Sequence, residues 1–136
     1  MNIADQVIII SAERSDCGAV ENDQRTRILK GCVTDINLPF SEALGVYKGK
    51  EEISLVVLVK NQHDIDALKG FAFKNFDQES ILYTDANSEA YLFFNDGKTE
   101  QLGRLLQVPK EQAIKQDNFT ILNDEYYITI PRNANK

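Results

Sequence analysis

The stretch that decides the fold is residues 49–60, with the sequence GKEEISLVVLVK. Its middle part, residues 53–59, is the most apolar run of the chain, and its β-branched and aliphatic residues favour a β-strand. A strand with one solvated face would alternate apolar and polar residues, and this run does not. We therefore predict a central strand that is covered on at least part of both faces.

Two carboxylates, Glu51 and Glu52, stand at the beginning of this strand. A glutamate just before a buried strand is held by a rigid backbone while its carboxylate can still reach a cleft, which suits a functional site. The other interpretation is a charged strand terminus that faces water, which is common in soluble proteins. The residues themselves leave both interpretations open.

Length and composition describe an ordinary globular protein. The 136 residues have the usual size of one domain, so we predict a single domain over residues 1–136. No apolar run approaches the ~20 residues that span a bilayer, so we expect no membrane partner. The polar N-terminal segment, residues 1–6, is unlike a secretion signal, and we therefore expect a cytoplasmic location.

The charged and metal-binding residues exclude several classes of partner. A net charge of −6, spread along the chain, disfavours nucleic acid and favours a cationic small molecule. Cys17, Cys32 and His63 are the only cysteines and histidine, too few for a Cys/His zinc site, and we predict no metal. We expect both thiols to be reduced and structural, and His63 to be solvated near a helix start.

Before the central strand, the pattern predicts a strand, a helix and a mixed segment. Residues 6–11 predict a first core strand. Asn22 is a candidate cap for a short helix that would end before Gly31. Residues 32–36 predict a short strand, and residues 40–46 predict a helical turn after Pro39.

After the central strand, a second helix and several hairpins follow. Asn61 predicts the cap of a helix whose buried face holds Ile65, Leu68, Ala72 and Phe76. The C-terminal part is rich in predicted strands, with tight turns at residues 95–97 and 123–124; the strands are residues 79–83, 89–94, 99–102, 105–108, 119–122 and 126–130.

This order of elements predicts an α+β fold. It matches a ferredoxin-like split βαβ unit, which is an antiparallel sheet with two helices, here extended by extra C-terminal β-hairpins. Such a sheet has a face that two polar helices do not cover. We therefore predict that this face or a sheet edge packs against other copies, most simply as a ring.

The residues permit only a modest chemistry. The chain has no Gly-rich phosphate loop and no Gly-x-Ser-x-Gly motif, which disfavours nucleotide triphosphate and serine hydrolase chemistry.

Glu51 and Glu52 could act as bases or hold a cation. Arg14 and Arg25 could bind a carboxylate or be ordinary solvated arginines. The aromatic rings of Tyr47 and Tyr83 could pack or contact a ligand. A small cationic or zwitterionic ligand fits these residues.

Several short segments, in the same order along the chain, resemble the bacteriophage S-adenosylmethionine lyases, long catalogued as adenosylmethionine hydrolases. The likeness covers residues 6–130, and its order along the chain carries more weight than any single motif. The matching segments are Ser11-Ala12-Glu13-Arg14-Ser15 with Asn22, Arg25 and Arg27, Phe40-Ser41-Glu42-Ala43, Glu51-Glu52, residues 78–83, Val108-Pro109-Lys110 and Phe119-Thr120-Ile121.

The resemblance implies an early phage enzyme that destroys the S-adenosylmethionine of the host and so counters restriction and methylation. It implies a homotrimer of ferredoxin-like, PII-like subunits with sites between subunits, and no cofactor. The implied reaction yields 5′-methylthioadenosine and L-homoserine lactone, because the carboxylate of the substrate attacks its own γ-carbon.

The resemblance also assigns roles to residues. Glu52, and less directly Glu51, match the essential glutamate of the family and would steer the sulfonium. Ser11, Ala12 and Arg14 would shape the substrate-binding loop, and we add Tyr83 as a substrate contact. Phe40 stands where the family has a functional tyrosine, so either Tyr47 supplies the hydroxyl, or the Phe40 ring alone contacts the cation, or activity is reduced.

Two other functions remain open from the sequence. One is a non-catalytic PII-like trimer that binds a nucleotide-like molecule, and the other is an acidic anti-restriction protein that mimics DNA weakly. The dispersed charge disfavours the second.

Overall fold

The computed structural model describes residues 5–131. Eight strands dominate the fold, with two long helical segments and one short helix. The elements are β1 Val7–Ile10, α1 Ala19–Asp35, β2 Phe40–Tyr47, β3 Lys50–Leu58, α2 Gln62–Gly70 with a π-helical turn Phe71–Asn75, β4 Ser80–Thr84, β5 Glu89–Phe94, β6 Thr99–Val108, α3 Lys110–Ala113, β7 Asn118–Leu122 and β8 Glu125–Ile130.

The strands form a closed antiparallel barrel in the order β1-β3-β2-β7-β8-β6-β5-β4. The predicted α+β, ferredoxin-like and PII-like sheet with two helices and added hairpins is therefore wrong. The C-terminal strands do not stay as additions to one sheet. They join β2 to β4, because β7 pairs with β2 and β5 pairs with β4.

Closure of the barrel depends on a bend in β5 and β6. The register between these strands shifts at Ala90 and Tyr91, which is a β-bulge. Gly103 of β6 lies near this bulge with φ +97°, and a Cβ atom there would stand 2.1 Å from the Ile130 carbonyl oxygen. Only glycine fits this close approach of two backbones. The sequence pattern of short strands gives no sign of which strands this bend brings together.

The central position of β3 is confirmed, and both faces of this strand are buried. Leu55 and Val57 belong to a cluster that contains residues of α1 and α2, so they face the helices. Val56 belongs to a second cluster that draws residues from seven strands and none from a helix, so it faces the barrel interior. The chain thus has one core under the helices and another inside the barrel.

This second core removes the argument for covering a sheet face with other copies. Val7, Ala43, Leu105 and Tyr127 fill the barrel interior, and all four are at most 6% exposed. The face that we expected to be open is therefore covered by the far side of the same sheet. Closure satisfies the inner face within one chain.

The helix predicted before Gly31 is present, but its bounds and the two segments predicted after it are wrong. Helix α1 begins after Gly18 and continues through Gly31 to Asp35, so residues 32–36 are mainly helical. Residues 40–46 lie in β2 and are not a helical turn. The alternation in β2 is hard to see because Ala43 and Gly45 supply little apolar side chain on its inner face.

The second helix is as predicted. The Asn61 side chain accepts a hydrogen bond from the Asp64 amide, which is the expected cap. Ile65, Leu68, Ala72 and Phe76 are all buried.

The tight turns of the C-terminal part are also confirmed. Gly97 has φ +89° in the β5–β6 turn, and Asn123 and Asp124 have φ of 52° and 64° between β7 and β8. Residues 99–102 and 105–108 belong to one strand, β6, and not to two.

Candidate active site

A cleft of about 200 Å³ lies between the β1–α1 loop and the beginning of β3. It brings together charged residues from three parts of the chain. Its lining residues are Glu13, Arg14, Ser15, Cys17, Asn22, Lys50, Glu51 and Glu52. Three glutamates against one arginine and one lysine leave one negative charge in excess, so the cleft favours a cation.

The loop is attached to β3 by side chains rather than by a backbone ladder. The Ser11 hydroxyl donates to the Ile53 carbonyl oxygen at 2.8 Å, and the Glu13 carboxylate accepts from the Ile53 amide at 2.5 Å. Both backbone groups of Ile53 are thus satisfied by the loop. This arrangement fixes the residue that directly follows Glu52.

A second set of contacts holds the loop against the rest of the chain. The Asn22 side chain accepts from the Arg14 amide at 2.9 Å and donates to the Arg14 carbonyl oxygen at 3.0 Å. Asn22 therefore closes the loop and does not cap α1. Arg25 donates from Nε to the Ala12 carbonyl oxygen and from Nη2 to the Phe76 carbonyl oxygen, with its guanidinium 5.5 Å from the Phe76 ring centre. The Arg25 side chain thus binds other parts of the protein.

The guanidinium of Arg14 is largely committed to the protein itself. It donates twice to Asp16, at 2.9 and 3.3 Å, and once to the Asp77 carbonyl oxygen. The hydrogen bond and charge of Asp16 raise the pKa of Arg14, and Arg14 in turn lowers the pKa of Asp16. Two of the five N–H donors of the guanidinium remain for a ligand.

Glu52 lies on the barrel-interior face of β3. It stands two and four residues before Ser54 and Val56, and side chains two apart on a strand share a face. Desolvation raises the pKa of the Glu52 carboxyl, and the charge of Glu13 raises it further. The net direction is upward, so Glu52 keeps its proton to a higher pH than a free glutamate.

Tyr47 shares this face with Glu52. Gly45 pairs with Glu52 and Tyr47 pairs with Lys50, so Tyr47 is the diagonal neighbour of Glu52 across the β2–β3 ladder. Diagonal neighbours have β-carbons roughly 7–8 Å apart, within reach of a tyrosine side chain. The Tyr47 ring is 60% exposed and stands at the barrel rim.

Of the other predicted site residues, the structure groups some at the cleft and places others elsewhere. Ser11 lies at the base of the cleft, and Ala12 is buried beside it. Phe40 pairs with Val57, which faces the helices, so it lies on the opposite sheet face from Glu52. Tyr83 packs on the same helix-facing side and donates its hydroxyl to Gln6 at 2.8 Å. The role of these two rings as substrate contacts stays a prediction.

Two charged residues of the cleft, Glu13 and Lys50, were not predicted as site residues. A glutamate three residues beyond the end of a buried strand, opposite another acidic pair, was the available signal for Glu13.

Cys17 also lines the cleft, and its side chain is a neutral thiol. Burial and the neighbouring Glu21 raise the pKa of the Cys17 thiol, which disfavours the nucleophilic thiolate. Cys17 and Cys32 are both free cysteines, as predicted. His63 is exposed near the beginning of α2, also as predicted.

A second, more open depression of about 520 Å³ lies beside α2 and the β5–β6 turn. Asp66, Lys69, Phe73 and Lys74 line it, and the Lys69 ammonium stands 4.2 Å from the Phe93 ring centre. It contains neither the paired glutamates nor the loop of the first cleft. The smaller cleft therefore remains the candidate site.

Residues 5–131 contain no group of three or more histidine, cysteine, aspartate or glutamate side chains that could hold a metal ion. None of the helices in this part of the chain has the length and apolar character required to cross a membrane.

Comparison with known proteins assigns the chain to a family. The S-adenosylmethionine lyase family matches residues 8–130, which is most of the chain and includes every residue of the cleft. A comparison with curated proteins finds no match. The family match agrees with the resemblance found in the sequence and favours an enzyme over a binding protein or a DNA mimic. The chain belongs to the S-adenosylmethionine lyase family and is an enzyme that acts on S-adenosylmethionine.

Proposed function

We propose that the chain cleaves S-adenosylmethionine into 5′-methylthioadenosine and L-homoserine lactone. A carboxylate oxygen of the substrate forms a bond to its own γ-carbon, and the bond from this carbon to sulfur breaks. The bonding electron pair leaves with sulfur, which becomes a neutral thioether. No proton is transferred and no water is consumed, so the step requires neither a general base nor a nucleophile from the protein.

The observation that carries this proposal is the acidic cleft with a partly desolvated Glu52 at the beginning of a rigid strand. A sulfonium cation is attracted to this carboxylate, and the attraction is stronger where water is partly excluded. Lys50 and the two remaining N–H donors of Arg14 supply positive charge for the carboxylate of the substrate. A cleft lined by both carboxylates and cationic side chains suits a zwitterion.

Such a cleft assists this reaction in two ways. It holds the carboxylate and the γ-carbon in the geometry of attack, and orientation of this kind can lower a barrier by several kcal/mol. The charges of the carboxylate and the sulfonium also cancel during the step. Water stabilises the charged ground state more than this transition state, so a site that replaces water with fixed protein dipoles favours the reaction.

We assign the hydroxyl role of the family tyrosine to Tyr47. Phe40 has no hydroxyl and lies on the other face of the sheet, whereas Tyr47 is the diagonal neighbour of Glu52 on the same face. From the rim, Tyr47 can donate a hydrogen bond to Glu52 or present its ring face to the sulfonium.

The size of the cleft supports a site completed by a neighbouring copy. Ligand sites usually have volumes of about 300–1,000 Å³, and this cleft has about 200 Å³. Val20 and Ile28 of α1 are 75% and 59% exposed and Tyr47 is 60% exposed, which supplies apolar surface for contact between copies. We propose a homotrimer with sites between subunits, in which the neighbour covers the rest of the substrate.

In its biological setting, this activity would remove S-adenosylmethionine from the cytoplasm of an infected host. Restriction and methylation systems that depend on this compound would lose it. The proposed role is therefore anti-restriction by depletion of a metabolite, and not by contact with nucleic acid.

The direct test is incubation of the purified protein with S-adenosylmethionine, followed by chromatography of the products. We expect 5′-methylthioadenosine and homoserine lactone in equal amounts from the wild-type chain. Glu52→Gln should lower kcat/KM about 100-fold or more, because the carboxylate that attracts the sulfonium and holds the substrate in the geometry of attack is lost. Glu100→Gln, an exposed glutamate of β6, is the matched control and should keep full activity. Absence of methylthioadenosine from the wild type would refute the proposed reaction.

A further inference from the structure

The pairing of β1 with β3 ends early, and this leaves a gap that side chains fill. The backbone ladder stops where Ile10 pairs with Leu55, although β3 begins five residues earlier at Lys50. The loop after Ile10 turns away from β3 and so opens the cleft. Without a backbone neighbour on this side, the N–H and C=O of Ile53 would lack partners, and a buried or half-buried group of this kind needs one.

Two side chains of the loop take the place of the missing strand. Ser11 donates to the Ile53 carbonyl oxygen, and the Glu13 carboxylate accepts from the Ile53 amide at 2.5 Å. We propose that Glu13 is the positioning residue of the active site, which fixes the backbone that carries Glu52 and adds a second negative charge beside it. This inference rests on the proposed function, because the purpose of the positioning is the role of Glu52 in cleavage.

Glu13 is itself held at several points, as a positioning residue must be. Its amide donates to the Ser11 hydroxyl at 3.1 Å, and its carbonyl oxygen accepts from the Gln78 side chain at 3.1 Å. Gln78 also donates to the Phe76 carbonyl oxygen, the same oxygen that accepts from Arg25. Glu13 therefore connects β3 to the end of the π-helical turn through a half-buried network.

The charges around Glu13 determine what this position does to a ligand. Arg14 and Lys50 are the cations of the cleft, Glu51 and Glu52 are the other carboxylates, and Cys17 is a neutral thiol. The charge of Glu13 adds to desolvation in raising the pKa of Glu52. Two like charges held close together are stabilised by a cation between or beside them, so Glu13 makes the site more selective for a sulfonium over a neutral thioether.

Two variants separate the geometric effect from the charge effect. Glu13→Gln keeps an oxygen that can accept from the Ile53 amide but removes the charge, whereas Glu13→Ala removes both. For Glu13→Gln we expect kcat within about threefold of the wild type and KM for S-adenosylmethionine raised about tenfold, since ground-state attraction is lost. For Glu13→Ala we expect kcat lowered at least tenfold, because Glu52 loses its fixed position. Glu100→Gln is again the matched control.

The pH profile gives a readout that a merely structural role would not change. In Glu13→Gln, the acid limb of kcat/KM and the NMR titration of the Glu52 side-chain carboxyl carbon should both shift to lower pH. The Ile53 amide proton should keep its chemical shift in Glu13→Gln and move in Glu13→Ala. Equal loss of kcat in the two variants, full kcat in Glu13→Ala, or an unchanged Glu52 titration in Glu13→Gln would each overturn the proposal.

The two NMR measurements use the free protein and need no substrate. They therefore test the contact of Glu13 with Ile53 and Glu52 even if the wild type releases no methylthioadenosine. Failure of the proposed reaction and failure of this inference are thus seen in different experiments.

Discussion

Tyr47 and Glu52 stand on neighbouring strands as diagonal partners on one face of the sheet, with Gly45 directly opposite Glu52. This relationship places a hydroxyl, a carboxylate and an empty side-chain position together at the barrel rim. Gly45 puts no side chain opposite Glu52, and Tyr47 stands diagonally beside it. Several predictions about substrate access and catalysis depend on these three residues.

The hydroxyl of Tyr47 is expected to contribute to cleavage. Tyr47→Phe should lower kcat about tenfold, which corresponds to the loss of one hydrogen bond of about 1.4 kcal/mol. Tyr47→Ala should lower it further, because the ring is lost as well. Steady-state kinetics with S-adenosylmethionine measure both effects. Phe40→Tyr serves as the comparison, and a gain of activity in that variant would transfer the role to position 40.

Space above Glu52 is expected to be necessary for the substrate. A Cβ atom at Gly45 would lie 3.5 Å from the Glu52 carbonyl oxygen and 3.5 Å from the Ser54 hydroxyl, which is ordinary contact, so Gly45→Ala should fold normally and keep activity within about threefold. Gly45→Val fills the position and should lower kcat/KM at least tenfold with little change in Tm. If Gly45→Val binds and cleaves like the wild type, the substrate does not occupy this space.

Because the pKa of Glu52 is raised, ionised Glu52 should make the folded chain less stable. In the folded chain this carboxyl holds its proton to a higher pH than in the unfolded chain, so its ionised form destabilises the fold above the folded pKa. As the pH falls through the folded pKa towards the unfolded value, this destabilisation is relieved. Glu52→Gln should therefore raise Tm at pH 7 to 8, and the gain should shrink near pH 4, while activity is lost at both. Thermal unfolding followed by circular dichroism measures this, and a lower Tm at pH 8 would contradict it.

A further prediction concerns how the barrel closes. Gly103→Ala combines a positive φ with a contact of 2.1 Å to the Ile130 carbonyl oxygen, so we expect a loss of several kcal/mol of unfolding free energy, on the order of 2–4 kcal/mol. Gly31→Ala is the matched control, since that glycine lies within α1 with open space around it. It should stabilise the chain by up to about 1 kcal/mol. Urea unfolding distinguishes the two, and equal stability of both variants would argue against closure at Gly103.

Mixed assemblies test whether Tyr47 and Glu52 act within one chain. The two residues are neighbours on one sheet face, so Glu52→Gln and Tyr47→Ala chains unfolded and refolded together should show no more activity than the two chains measured apart. A gain of activity on mixing would show that Tyr47 acts on Glu52 of a neighbouring copy and would overturn this assignment. Light scattering of the same samples reports whether the assembly is a trimer.

Local patterns predicted local structure well in the second half of the chain. Asn61 caps its helix, and the turns at residues 95–97 and 123–124 use the residues that positive φ angles favour. The burial of both faces of residues 53–59 could also be predicted, because an uninterrupted apolar run leaves no face for solvent. These features depend on neighbours close in sequence.

The closure of the barrel could not be predicted in the same way. It depends on the pairing of β2 with β7, which lie more than 70 residues apart, and on the bend at Gly103. In residues 22–46 the apparent signals were misleading: Gly31 did not end α1, and Asn22 serves the loop before the helix. Tertiary contacts decided both positions against local propensity.

The candidate site was predicted in part, for a similar reason. Glu51, Glu52 and Arg14 line one cleft because the loop after β1 and the beginning of β3 are joined by direct contacts, among them the hydrogen bond from Ser11 to Ile53. Glu13 was not predicted as a site residue because its partner is the Ile53 amide. Nearly every residue has a backbone amide, so the sequence does not indicate which one a side chain will contact. Phe40 and Tyr83 were grouped with the site although their strand positions place them on the helix-facing side.

The closed sheet also limits how this chain can join others. Every strand has a neighbour on each side over at least part of its length, and at the beginning of β3, beyond the end of β1, Ser11 and Glu13 bind the Ile53 backbone, so no full-length strand edge is left for an intruding peptide to extend. Contacts between copies of residues 5–131 are therefore expected to use side chains on the outer surface, where single substitutions can weaken or strengthen an assembly without disturbing the backbone. A closed sheet of this kind also disfavours the strand-by-strand stacking from which fibres grow.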